Sequence, residues 1–130
     1  MTLRITLKPQ EKMILGAAVV TNANSTGCNL IIENKVPILR EKDILSEKEA
    51  NSPCRRIYFV IQLMYIDEEN LKIHQKTYWT LVKDLVKAVP NTVAHIDLIS
   101  EHIVSGRYYQ ALKLAQKLCD YEQEVISRVQ

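Results

Sequence analysis

The spacing of apolar residues changes near residue 50, and no single kind of regular element can satisfy both parts of the chain. Before that point the repeat is two. In Thr2–Lys8, Leu3, Ile5 and Leu7 fall on one face of an extended strand and Thr2, Arg4, Thr6 and Lys8 on the other. Beyond it the repeat is about 3.6, with Leu71, His74, Tyr78, Leu81, Val82 and Leu85 recurring at spacings of three and four. The pattern predicts an α+β chain. Residues 1–50 are expected to form a small antiparallel β-sheet and residues 51–130 an antiparallel helical bundle, the two folding together as one compact unit.

Turn formers punctuate the first part. Pro9-Gln10-Glu11 separates the first strand from a second over Lys12–Leu15, and Gly16 marks a tight bend before Ala18-Val19-Val20. The polar run Thr21–Gly27 reads as a loop, and Cys28–Glu33 as the next strand. Asn34-Lys35 turns the chain into a last short strand over Val36–Arg40, where Pro37 suits a sheet edge. In the second part Ser52 reads as a helix N-cap and Pro53 as the first helical residue. The run Ile57–Ile66 is apolar enough for a buried strand as well as for a helix, and the helix is favoured. Asp67-Glu68-Glu69 suits the positive end of the next helix dipole. A third helix is expected from about Asn91, with Val93, Ile96, Ile99 and Ile103 inward and Gly106 at its C-terminal cap. The fourth begins at Arg107 and carries an apolar stripe of Tyr108, Ala111, Leu112, Ala115, Leu118, Cys119 and Ile126, with Lys113, Lys117 and Arg128 outside it.

Composition narrows the function classes. A chain of 130 residues, 47% hydrophobic and 25% charged, can bury a core without disulfides or a structural metal. Seventeen Lys and Arg against 15 Asp and Glu give a net charge of +2, which excludes a uniformly polycationic coat but allows a local basic patch. No apolar run reaches the roughly 18 residues of a membrane span, and Met1–Lys8 lacks the apolar segment of a secretory signal. A soluble cytoplasmic protein with no membrane partner is expected, and Cys28, Cys54 and Cys119, widely spaced, read as free thiols.

Catalytic chemistry has little to rest on, so no enzyme activity, cofactor or metal is expected. Gly16, Gly27 and Gly106 write neither a dinucleotide nor a phosphate loop. His95 and His102 lie two helical turns apart and Cys119 falls on the next helix, but zinc spacings are missing and no nucleophile motif accompanies them. Asp67, Glu68 and Glu69 read as solvated groups at a helix start, and Tyr108 as core with Tyr109 at the rim. What remains is a basic set around the strands: Arg4, Lys8, Lys12, Lys35, Arg40 and Lys42, with Arg55-Arg56 beyond. Arg40 and Lys42 join Arg4 and Lys8 if the last strand pairs beside the first, and such a cluster would hold phosphates. Glu11, Glu33, Glu41 and Asp43 interleave with them, so charge alone reads as a mixed solvated surface.

Specific runs carry more. Leu7–Lys12, Leu15–Val20, Val36–Ile44, Ile57-Tyr58-Phe59 and Tyr108–Leu114, with Lys117-Leu118 and Tyr121-Glu122, resemble in order the FlbT family of flagellum biosynthesis repressors. The resemblance implies a post-transcriptional regulator that associates with the 5′ untranslated region of flagellin mRNA and promotes its decay. The alternative is a protein-binding adaptor or flagellin-handling chaperone acting on flagellin expression indirectly. A flagellar regulatory protein, flagellin or a second copy of the chain is expected as a further partner of the helical part, a surface that no residue match assigns. The family tends to have Gly where this chain has Gln10 and Asn-Gly where it has Gly16-Ala17, and both changes bear on turn type. The first 45 residues or so are also similar to carbon storage regulator proteins, small β dimers that bind leader RNA. That similarity places Ile5 in a first-strand RNA contact and makes Arg40 the RNA-contacting arginine, although Leu7 stands where a basic residue is expected and Lys8 lies next to it. The RNA-binding set expected from these readings is Arg4, Ile5, Lys8, Lys12, Lys35, Arg40 and Lys42.

Overall fold

Five short strands come first in the chain and four helices follow. The computed structural model describes residues 2–129, with side chains from Thr2 to Val125. The chain divides into two compact units, Met1–Ile44 and Leu45–Gln130.

In the first unit the strands are β1 (Leu3–Leu7), β2 (Lys12–Leu15), β3 (Ala18–Thr21), β4 (Cys28–Ile32) and β5 (Ile38–Arg40). They make two antiparallel sheets where one was expected. β1 pairs with β4, Leu3 lying opposite Ile32 and Leu7 opposite Cys28. β2 is the middle strand of the second sheet, between β3 and β5. The condition under which Arg40 and Lys42 would join Arg4 and Lys8, a last strand beside the first, is not met: β5 pairs with β2, placing Arg40 opposite Met13. Alternation tells which face of a strand is buried and not which strand lies next to it. The tight turn at Gly16-Ala17 folds β3 onto one edge of β2 and leaves the other edge for β5. Gly16 has φ +62° and Ala17 does not share the positive sign, the pattern of a type II′ turn with Gly first.

Side chains from both sheets fill one core. Ile5, Leu7, Met13 and Ile32 are buried together, with Leu15, Val20, Cys28, Leu30, Val36 and Ile38 packed against them. No aromatic ring takes part, since residues 1–44 contain no Phe, Tyr or Trp.

The second unit holds α1 (Pro53–Ile66), α2 (Leu71–Ala88), α3 (Val93–Val104) and α4 (Tyr108–Val129). α1 packs against both α2 and α4, and α4 also against α3. The apolar run after Pro53 is helical, as favoured, with Ile57, Ile61 and Met64 buried. Ser52 caps α1 by accepting from the Arg55 N–H at 3.2 Å, and it donates its hydroxyl to Glu122 on α4. The other Glu122 carboxylate oxygen accepts from the Cys54 N–H at 3.1 Å, so a distant carboxylate completes the cap. Gln62, buried in α1, exchanges two hydrogen bonds with the main chain of Leu45 at 2.8 and 2.9 Å. Gly106, at φ +75°, ends α3: its N–H donates to Ile103 and that of Arg107 to His102, the Schellman arrangement. Ile96, Ile99 and Ile103 face inward as expected, but Val93 is 46% exposed, because a short 3-10 turn over Pro90–Thr92 precedes the helix and its buried residue is Thr92. On α4 the stripe is formed by Ala111, Leu112, Ala115 and Leu118, while Ile126 and Arg128 lie outside the described side chains.

Candidate functional site

The first unit gathers its polar chemistry around one turn. Pro9 fixes φ for the first central position of Lys8–Glu11, and Gln10 takes φ +65° at the second, the sign pattern of a type II turn. The Glu11 N–H closes the turn on the Lys8 carbonyl at 3.1 Å. Gln10 thus holds the left-handed backbone that a glycine adopts freely, and the turn type survives without one. Beneath it, Asn22 is 4% exposed. Its side-chain amide donates to the carbonyls of Leu7, Lys8 and Thr26 at 3.0 to 3.1 Å, and its side-chain oxygen accepts from the Asn24 N–H at 3.0 Å. Its main chain exchanges bonds with Gln10 and Glu11 at 2.8 and 3.0 Å. One buried residue therefore joins the end of β1, the turn and the loop before β4.

Arg40 reaches the same turn from β5. Standing opposite Met13, it projects toward the core side of its sheet, and its guanidinium extends past the edge to β1. Nη2 donates to the Thr6 carbonyl at 2.9 Å and to both carboxylate oxygens of Glu11 at 3.1 and 3.2 Å. Nε is buried and has no acceptor among the described residues. Glu11 also accepts from the Lys8 N–H at 2.9 Å. That backbone bond, then the Arg40 guanidinium and the nearby Lys8 charge, hold the Glu11 carboxyl below its ordinary pKa. Arg40 is thus a clip between the two sheets, with its side chain still 35% exposed.

Between this turn and the 3-10 turn Glu41–Asp43 lies an open cleft of ≈ 690 Å³, lined by Lys8–Glu11 and by Arg40, Glu41 and Lys42. Of the expected set, Lys8, Arg40 and Lys42 converge here. Lys12 stands exposed at the start of β2, its N–H donating to Glu41 at 3.3 Å. Arg4 is exposed on β1 across from Ile31, and Lys35 is exposed in the β4–β5 connection; neither lines the cleft. Ile5 does not line it either: its side chain belongs to the core. The sequence reading passed over Asn22, hidden in a polar loop. The signal available was the Asn-x-Asn spacing, in which the first side chain accepts from the backbone two residues on.

Elsewhere the side chains considered for metal or nucleophile chemistry are engaged locally. Among the described residues no three His, Cys, Asp or Glu form a group able to hold a metal. His95 lies against the Tyr121 ring at 5.4 Å, and His102 Nδ1 accepts from Arg107 Nε at 2.9 Å. Burial, with the Glu122 charge, pushes the Cys119 thiol up to about 12 and Cys54 higher, so neither supplies thiolate at neutral pH. Asp67 accepts from His74 at 2.9 Å and Asn70 at 3.0 Å, which lowers its pKa. Tyr108 is half-buried, its hydroxyl accepting from Gln75, and Tyr109 lies at the rim against Tyr65 with Lys113 over its ring. Among the described residues no helix is long and apolar enough to cross a membrane.

The family model described as flagellar protein FlbT matches residues 3–126. The chain belongs to the FlbT family. It is 41% identical over 128 residues to the probable flagellum biosynthesis repressor protein FlbT of Rhodopseudomonas palustris (strain TIE-1), covering 98% of this chain and 100% of that one. It is 43% identical over 125 residues to the probable flagellum biosynthesis repressor protein FlbT 1 of Bradyrhizobium diazoefficiens, covering 96% and 85%. Against the flagellum biosynthesis repressor protein FlbT of Caulobacter vibrioides (strain ATCC 19089 / CIP 103742 / CB 15) identity is 38% over 131 residues, covering 99% and 92%. No solved structure matches. The Lys8–Glu11 turn, Asn22 and Arg40 all fall within the matched FlbT residues.

Proposed function

We propose that this FlbT-family protein represses flagellar expression after transcription, binding the 5′ untranslated region of flagellin mRNA in the cytoplasm and promoting its degradation. The observation that carries the reading is the convergence of Lys8, Arg40 and Lys42 on one open cleft in the β unit. Relatives named flagellum biosynthesis repressors supply the pathway.

The cleft favours single-stranded RNA over a duplex. It is a short concavity that also carries the carboxylates of Glu11 and Glu41, and a continuous polyanionic face would be repelled by them. A looped strand can place phosphates against Lys8 and Lys42 while presenting base edges to the remaining groups. Arg40 offers Nη1 to the ligand while Nη2 stays on Thr6 and Glu11. The Glu11 carboxylate fixes the guanidinium plane before RNA arrives, which reduces the ordering cost of binding.

The test is binding of the full chain to its flagellin leader across a salt series, with scrambled RNA as the control. Lys8→Ala/Lys42→Ala is expected to weaken leader binding and to lower the salt slope by about 1.4, since each single-strand phosphate contact contributes about 0.7. Equal affinity for leader and scrambled RNA, or an unchanged slope in the folded variant, would refute the reading.

A further inference from the structure

Helix α2 carries four lysines, Lys72, Lys76, Lys83 and Lys87, and a single acid, Asp84. At 100° per residue the four lysines lie within about 60° of one another around the helix, in a line about 22 Å long. All four are exposed, and among the described residues no salt bridge involves them. Trp79 falls beside the line near its middle and is 44% exposed. The edge-to-face contact of Trp79 with buried Tyr78, at 5.0 Å and 75°, holds the indole in place.

A solvated helix face is ordinarily laced with opposite charges four residues apart. Here the i, i+4 pairs are Lys72 with Lys76 and Lys83 with Lys87, which repel each other. Glu69, three residues before Lys72, and Asp84, three before Lys87, offset part of that repulsion at the two ends, but Lys76 and Lys83 in the middle of the line have no acid three or four residues away. Lysines one turn apart, about 6 Å, match the spacing of successive phosphates along a single strand, and an exposed indole between them offers a stacking surface to a base. The apolar side of α2 is already committed, since Tyr78, Val82 and Leu85 are buried in the bundle. The exposed large apolar residues of α2, Ile73 and Trp79, lie about 120° apart around the helix on either side of the lysine line, so they make no continuous apolar face that could lie in a lipid surface.

We propose that the lysine line of α2, with Trp79, is a binding surface for single-stranded RNA, separate from the cleft of the β unit. Lysines hold the phosphates and Trp79 stacks on a base, so the surface adds affinity with little sequence preference. The choice of RNA as the ligand rests on the reading proposed above; the lysine line and its exposed indole do not.

Trp79 is the one tryptophan of the chain, so its emission reports on this surface alone. The full chain is titrated with a short oligouridylate, with flagellin leader RNA, and with vesicles containing phosphatidylserine. Both RNAs are expected to quench Trp79 without a blue shift. Lys76→Glu/Lys83→Glu, checked for fold by circular dichroism, is expected to abolish the quenching, and Trp79→Leu to weaken binding roughly tenfold. If leader RNA binds with unchanged emission and equal affinity in the lysine variant, the α2 surface is overturned while the cleft reading stands. If the unaltered chain binds no RNA, both fall. Quenching or a blue shift seen only with vesicles overturns the inference in favour of a membrane surface.

Discussion

Replacing Asn22 by Ala should loosen the β unit far more than its place in a polar loop suggests. The substitution removes three donor contacts, to the carbonyls of Leu7, Lys8 and Thr26, and one acceptor contact from Asn24. The bond to Leu7 is buried, and a buried carbonyl left without a partner costs about 1–3 kcal/mol. The other three are only partly buried, so water replaces some of what is lost, at roughly 0.5 kcal/mol each. The expected loss is about 3 kcal/mol, a large share of the 5–15 kcal/mol typical of a folded domain. Trp79 and the tyrosines all lie beyond residue 44 and will not report it. The assay is native-state hydrogen exchange of the β1 and β4 amides, Leu3–Leu7 and Cys28–Ile32. Protection there should fall while that of α1 and α4 is retained. Asn22→Asp sets a carboxylate against three carbonyls and should be worse at neutral pH. Its folded pKa is raised, so the missing stability should return in part as pH falls and the protonated carboxyl donates one bond. Protection within about 0.5 kcal/mol of the unaltered chain in Asn22→Ala would refute the role given to this residue.

Three further outcomes are expected. Gln10→Gly should stabilise the protein by about 0.5–1 kcal/mol in thermal unfolding, because φ +65° costs a side-chain-bearing residue more than it costs glycine, and Gln10→Val should destabilise it. Gly106→Ala should cost about 1–2 kcal/mol through backbone strain alone, since a Cβ there meets no atom within 4 Å and φ is +75°. The Glu11 pKa is lowered on folding, so its contribution is fully present above about pH 4.5 and is lost as pH falls through the lowered value; Glu11→Gln should flatten that acid limb of urea-midpoint against pH.

Much of the fold was legible because local signals and tertiary packing agree. Ser52-Pro53 opens α1, Gly106 ends α3, and the periodicity of Tyr78, Val82 and Leu85 names the buried side of α2. Strand neighbours were not legible. Ile38 and Leu39 alternate as well beside β1 as beside β2, and only the hairpin at Gly16 decides which edge is free. Val93 was misplaced because periodicity gives a helix its phase but not its first packed turn. At the candidate site, the cations were visible as residues and their grouping was not. Lys8 and Lys42 lie 34 positions apart in the chain yet share a cleft, whereas Arg4 and Lys35 do not. The carboxylate of Glu11, read as dilution of the basic set, orients Arg40 instead.

The strand order also orders events in time. β2 and β3 join through two residues and lie wholly inside the interval that separates β1 from β4. A hairpin of that kind closes in microseconds, while the β1–β4 pairing must close a longer loop. Once the hairpin forms, Leu7 and Cys28 emerge from the ends of a preformed unit, and the entropy left to remove is that of the short segments on either side. During synthesis β1 leaves the ribosome first and waits for β4, its backbone unpaired, until some twenty more residues have followed. Its two outward polar residues, Arg4 and Thr6, keep that waiting strand from being a sticky one.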